Sequence, residues 1–133
     1  MAGDKNPFVQ DLMTAEQVLK AYGQGRREFR RIEIAEESSL RNANLSGVDF
    51  TNSFLSLIDF RDARLQNVCF DSCNVKISDF SGADLTGASF RGTAICSACF
   101  KNATLDRMIV EDADWYGCKI NGVEQLLELK GNS

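Results

Sequence analysis

The chain contains no histidine, a single proline and no apolar run near the roughly 18 to 20 residues that span a bilayer. Without histidine it lacks the commonest general base and the imidazole metal ligand. Without a long apolar run it offers no candidate transmembrane helix, and its start, MAGDKNPFVQDLM, lacks the basic-then-apolar order of a secretory signal. The cytoplasm is therefore the expected compartment, with no membrane contact. No phosphate-binding glycine loop appears. A strong charge of one sign is also missing: 15 Lys and Arg face 19 Asp and Glu, a formal charge of -4, so no broad attraction to nucleic acid is expected. Five cysteines, at 69, 73, 96, 99 and 118, are an odd number, which argues against a disulfide framework and for free thiols in a reducing compartment.

What is present is a period. The 133 residues are 44% hydrophobic, enough for one domain with a sizeable core. From Leu40 through Leu45, Phe50, Leu55 and Phe60 to Trp115 and Ile120, a large apolar residue stands at every fifth position without a miss. Two residues before each of these centres lies a mostly small residue, as at Ala43, Ala63, Ala83 and Ala103. Two residues after the centre, Gly or Asn recurs, as at Asn42, Gly47, Asn52, Gly82 and Gly87, types that accept a positive φ.

Neither regular element keeps that spacing on one side. A step of five turns an α-helix through about 140°, and an odd step alternates the faces of a strand. The pattern is consistent when each repeat is a short extended piece, its centre and second-before residue pointing inward, followed by a corner. Columns at twenty residues sort the large side chains: Leu45, Leu65, Leu85 and Leu105 in one, Phe60, Phe80 and Phe100 in another, Phe50, Phe70 and Phe90 in a third. Four sides are therefore favoured over three.

The repeats Ala43-Asn44-Leu45-Ser46-Gly47, Ala83-Asp84-Leu85-Thr86-Gly87 and Ala88-Ser89-Phe90-Arg91-Gly92 resemble the A-(D/N)-(L/F)-x-x motif of pentapeptide repeat proteins, over Ser38 to Gly122. The resemblance implies an all-β fold, a right-handed quadrilateral β-helix of about four to five coils. The resemblance is to short bacterial and cyanobacterial members. It further implies a chain that is not an enzyme, needs no cofactor, and serves as a rigid structural or protein-interaction module. Some members are thought to imitate duplex DNA and bind type II topoisomerases, inhibiting or protecting them, which is the alternative role. Cys69-Phe70, Cys99-Phe100 and Ile109-Val110 lack the expected Asp or Asn, and Met108 and Ile58 are large where Ala is typical.

A solenoid needs caps, because its end coils expose apolar side chains and unpaired backbone. The expected division is a helical cap over 1–28, the β-helix over 29–122 and a helical cap over 123–133. Thr14-Ala15-Glu16-Gln17 reads as a capping box, with a helix to Tyr22 and a stop at Gly23 or Gly25. Phe8, Leu12, Ala15, Val18, Leu19 and Tyr22 share one helical face, and Asn6-Pro7 can start a short preceding helix. Phe29, Ile32 and Ile34 suit a partial first coil, with a bulge or loop in 35–39. At the far end, Val123, Leu126, Leu127 and Leu129 suggest a short helix over the last coil.

Candidate chemistry is sparse. Cys69-x3-Cys73 and Cys96-x2-Cys99 invite a metal reading, but Cys73 and Cys118 fall at inward positions and the others on different sides, so no metal site is expected. Asp49, Asp59, Asp79, Asp84 and Asp114 precede their centres and point outward, where Asp59 and Asp79 can approach each other without a cleft. Acids and bases nearly balance over the repeats, which weakens the DNA imitation. The remaining feature is apolar and outward: Leu57 and Ile77 are corner residues twenty apart, with Phe54 and Ala94 on the adjoining side. Phe54, Leu57 and Ile77 are the candidate interaction patch for an unidentified protein partner, with no small-molecule substrate and no direct nucleic acid. A monomer is favoured, and a dimer through the C-terminal helix is the other arrangement.

Overall fold

A computed structural model describes residues 9–132. Every residue two past a centre, from Asn42 to Gly117, has φ between 50° and 86°. That left-handed step turns the extended chain through a corner and starts the next side. Where the stack is tight, only glycine fits: a Cβ on Gly82 would lie 2.2 Å from the Asp62 carboxylate oxygen Oδ1.

Four sides make one coil, and successive coils pair in parallel at an offset of twenty, as in Asn44 with Arg64, Arg64 with Asp84 and Asp84 with Thr104. The first face carries the centres Leu40, Phe60, Phe80 and Phe100. The second carries Leu45 to Leu105, the third Phe50 to Val110, the fourth Leu55 to Trp115. The bonding follows one rule, seen in Leu85 N–H to Thr104 C=O at 2.8 Å, Gly87 N–H to Asp106 C=O at 2.9 Å and Thr104 N–H to Ala83 C=O at 2.9 Å.

Inside, the centres of the middle coils are closed off from water; Leu65, Phe70, Val75, Phe80 and Leu85 are fully buried. Phe60, Phe80 and Phe100 stack nearly parallel at 4.8 and 5.1 Å. The Phe70 and Phe90 rings meet that ladder edge to face, Phe70 to Phe80 at 5.5 Å and 80°. Both geometries suit the ring quadrupole. Polar residues at the inward second-before positions also find partners. Ser78 Oγ donates to Leu55 C=O at 2.6 Å and accepts the Ile58 N–H at 2.9 Å, while Thr93 Oγ1 donates to Phe70 C=O at 2.8 Å.

At the N-terminal end, β1 (Asp11–Met13) pairs in parallel with β2 (Ile32–Ile34) and covers the edge of the first coil. Helix α1 (Ala15–Gly23) starts at Thr14, whose hydroxyl accepts the Gln17 N–H while the Gln17 side chain accepts the Thr14 N–H. Its face is narrower than expected. Ala15 and Val18 are buried, whereas Leu12 and Leu19 are exposed. Leu12 belongs to β1 and alternates outward there; Leu19 stands about 100° around the helix from Val18. Phe8, Asn6 and Pro7 lie outside the described residues. The coil offset is 21 at Glu33 with Phe54 and 20 at Ser39 with Asp59, so one extra residue sits between, within 35–39.

The last expected repeat does not form. β5 (Ala113–Trp115) and β6 (Cys118–Ile120) make an antiparallel hairpin instead of two successive sides. Tyr116 and Gly117, at φ 51° and 86°, form its turn. Cys118, expected inward, is therefore exposed, and the half-buried Trp115 ends its column. Before the hairpin, β3 (Ser89–Arg91) and β4 (Ile109–Glu111) pair in parallel on the third face. Helix α2 (Val123–Leu127) then buries Leu126 against the end of the core and leaves Leu127 outward. Asn132 closes the first face: its Oδ1 accepts the Phe100 N–H at 2.6 Å and its Nδ2 donates to Ala98 C=O at 3.4 Å.

Phe80→Ala should lower the unfolding free energy by about 3 to 5 kcal/mol in a urea titration, because the ring leaves a cavity between its neighbours. Phe80→Asp should melt lower still, whereas Asp79→Ala should cost about 1 kcal/mol or less. Equal melting temperatures for Phe80→Asp and Asp79→Ala would contradict the inward and outward register.

Candidate interaction surface

The four corner columns differ in what they place in the left-handed region. Three carry mainly Asn, Asp, Ser or Gly: Asn42, Asp62, Gly82 and Asn102; Gly47, Asn67 and Gly87; Asn52, Ser72, Gly92 and Asp112. The column between the fourth and first faces runs Glu37, Leu57, Ile77 and Ser97, at φ 69°, 56°, 63° and 59°. A β-branched residue at such a φ is a genuine outlier. Backbone pairing holds it there, with Leu57 N–H bonded to Lys76 C=O and Ile77 N–H to Cys96 C=O, each at 2.9 Å.

Leu57 is half-buried and Ile77 is 58% exposed. Together they form an apolar ridge over a shallow hollow of 270 Å³, whose other walls are Glu37, Ile58, Asp59, Arg61 and Asp79. Arg61 organises the polar side. Its Nη2 lies 2.9 Å from Asp59 Oδ2, and its Nε lies 3.0 Å from Asp59 Oδ1 and 4.0 Å from Asp79 Oδ2. Those bonds from Arg61 hold the Asp59 carboxyl below its ordinary value, against an opposing effect of burial. Asp79 Oδ1 accepts the Ser81 N–H at 2.9 Å, so the carboxylates also brace the corner backbone.

Phe54 is placed apart from the ridge. It is half-buried at the opposite end of the fourth face, in a separate hollow of 440 Å³ with Arg31, Asn52 and Ser72. Ala94 stacks in the Phe54 column two coils on, beyond Asn74. Glu37, which the sequence reading did not include, joins the ridge because the extra residue in 35–39 brings it over Leu57, its N–H bonded to Leu57 C=O at 2.8 Å. A further hollow at the C-terminal end is lined by Trp115, Tyr116, Lys130 and Ser97, the Tyr116 and Ser97 hydroxyls being bonded at 2.5 Å.

Other chemistry is not assembled. Among the described residues no three or more His, Cys, Asp or Glu side chains come together as ligands. Burial pushes the Cys69 and Cys73 thiols upward, which keeps them protonated and poorly nucleophilic. The outer charges alternate in sign: Arg61 spans two aspartates, Arg91 lies 3.8 Å from Asp71 and 3.2 Å from Glu111, and Arg30 lies 2.7 Å from Asp49. Imitation of duplex DNA needs a long anionic face, which these pairs interrupt. No helix of the described residues is long and apolar enough to cross a membrane.

A family model for the pentapeptide repeat region matches residues 26–100. Among solved structures, the chain is similar to HetL, a protein involved in heterocyst differentiation regulation in Nostoc sp. strain PCC 7120, at 24% identity and a TM-score of 0.67. That match covers 79% of this chain and 46% of HetL. QnrB1, a plasmid-mediated fluoroquinolone resistance protein, matches at 21% identity and a TM-score of 0.56, over 59% of this chain and 39% of its own. A pentapeptide repeat protein of the Arabidopsis thaliana thylakoid lumen matches at 16% and 0.51, over 99% of this chain and 93% of its own. The chain thus spans less than half the length of HetL and QnrB1, and at these identities the likeness is one of fold. No curated protein matches the sequence.

Ile77→Asn should stabilise the protein by about 1 kcal/mol in thermal or urea melts, since Asn accepts the left-handed region at lower cost than a β-branched side chain. A loss of stability would show that the ridge serves packing. The Asp59 carboxyl, lowered in the folded state, contributes stability that is present above its ordinary value of 3.8 and is lost as pH falls through the folded value. Asp59→Asn should therefore melt below wild type at neutral pH, with the gap closing in melts carried to about pH 2. A gap that stays constant with pH would remove the Arg61 effect.

Proposed function

The chain belongs to the pentapeptide repeat family, and on that premise we propose that it is a non-catalytic interaction module, a rigid right-handed quadrilateral β-helix that presents the Leu57 and Ile77 ridge to a protein partner. One observation carries this reading: two bulky apolar side chains occupy left-handed corner positions and one of them is largely in water. Folding alone favours Gly or Asn there, so the strain points to a use outside the fold.

The surroundings suit a protein surface. A partner's apolar side chain can lie on the ridge while its polar atoms meet Asp79 or Glu37 at the rim, the usual division of an interface into apolar centre and polar border. Phe54 supplies a second, separate contact. The protein acts as a monomer in this reading, in the reducing cytoplasm, where its five free thiols persist.

Affinity capture from native lysate with the wild-type protein should recover partners that Leu57→Ser and Ile77→Ser lose and that Thr86→Ala, on the second face, retains. Thermal melts of each variant separate a lost contact from a lost fold. Identical captured proteins for wild type and both ridge variants would discard the ridge.

A further inference from the structure

Among the described residues the last coil is closed on three faces and open on one, the second. Asn132 bonds to the first face, Gly122 N–H donates to Val110 C=O on the third at 2.8 Å, and β6 pairs with β5 on the fourth. On the second face the chain from Ala103 to Arg107 has no rung above it. Among the described residues nothing accepts the N–H of Leu105 or Arg107, and nothing donates to Ala103 C=O. Ala103 and Leu105 are half-buried there, whereas Ala83 and Leu85 one coil below are fully buried.

We propose that this edge, 103–107, is a docking site for an extended segment of a partner protein, added in parallel as one further rung. The ladder itself specifies the occupant. By the bonding rule of the coils beneath, the residue before the incoming centre donates its N–H to Ala103 C=O and accepts from Leu105 N–H. The residue after the centre accepts from Arg107 N–H. Such strand addition satisfies main-chain groups first and selects by alternate side chains.

The side chains follow from the column. Ala43 and Leu45, Ala63 and Leu65, Ala83 and Leu85, and Ala103 and Leu105 place a small residue and a leucine side by side in every coil of this face. The incoming segment therefore reads small, any residue, aliphatic, then Gly or Asn two further on. A second copy of this chain is a poor donor, because its own segments of that pattern are already paired inside its ladder. Asp106 and Arg107 are exposed beside the edge and disfavour indiscriminate strand pairing.

The probe is a capped peptide with the sequence of residues 42–49, added to the full chain, with amide hydrogen exchange read residue by residue by NMR. Exchange at Leu105 and Arg107 should slow at least tenfold at saturating peptide, while amides of the buried coils stay unchanged. A peptide N-methylated at its Asn44 equivalent, and one with its leucine replaced by aspartate, should lose the effect. No slowing at millimolar peptide, equal slowing with a scrambled peptide, or binding that leaves both amides unprotected would each overturn the proposal. Changes confined to the peptide leave the stability of the protein out of the comparison.

Discussion

A chain that turns four corners per coil must enter the left-handed region once every five residues, and everything else in this structure follows from meeting that demand. The corner fixes where an extended piece begins and ends. It thereby fixes which residues face inward, and the offset of twenty then stacks like upon like. Phe80 lies parallel to Phe60 and Phe100 because the four corners of each circuit are met without an error in count. The interior tolerates Ser78, Cys73 and Thr93 for the same reason: each inward small residue meets a centre carbonyl of the coil before it, Cys73 Sγ reaching Phe50 C=O at 2.9 Å.

Much of this was legible because position in the repeat determines environment almost completely in the middle coils. Leu, Phe and Ala assignments between Leu40 and Val110 needed only the period and the column. Legibility failed where the same residue types permit two outcomes. Tyr116 and Gly117 can form a corner or the two-residue turn of a hairpin, and the hairpin places Cys118 in water. Leu12 fits a helical face in sequence, yet the capping of α1 by Thr14 leaves it in a strand. Among outward residues the column rule gives a face but not a direction along it, so Phe54 turned to Asn52 and Ser72 while Leu57 and Ile77 met Arg61.

The division of labour between inside and outside explains why so regular a plan carries so little specific chemistry. Each interior rung resembles the next, so no inward position is singled out for a ligand. Difference is confined to corners, to the residues flanking the centres, and to the two ends. The ridge is a departure of the first kind, where strain and exposure coincide. The open second face is a departure of the third kind, where the ladder stops before the side chains are covered.

The single residue inserted within 35–39 sets a phase that the rest of the molecule inherits. After it, a gain or loss of five residues would rotate every later rung by a quarter turn, and between Leu57 and Ile77 it would carry the two to different edges. A gain or loss of one whole circuit would restore the alignment and change only the height. Such a surface drifts freely residue by residue, but its length can change harmlessly only in whole circuits, so neighbours on the outside stay neighbours through arithmetic alone.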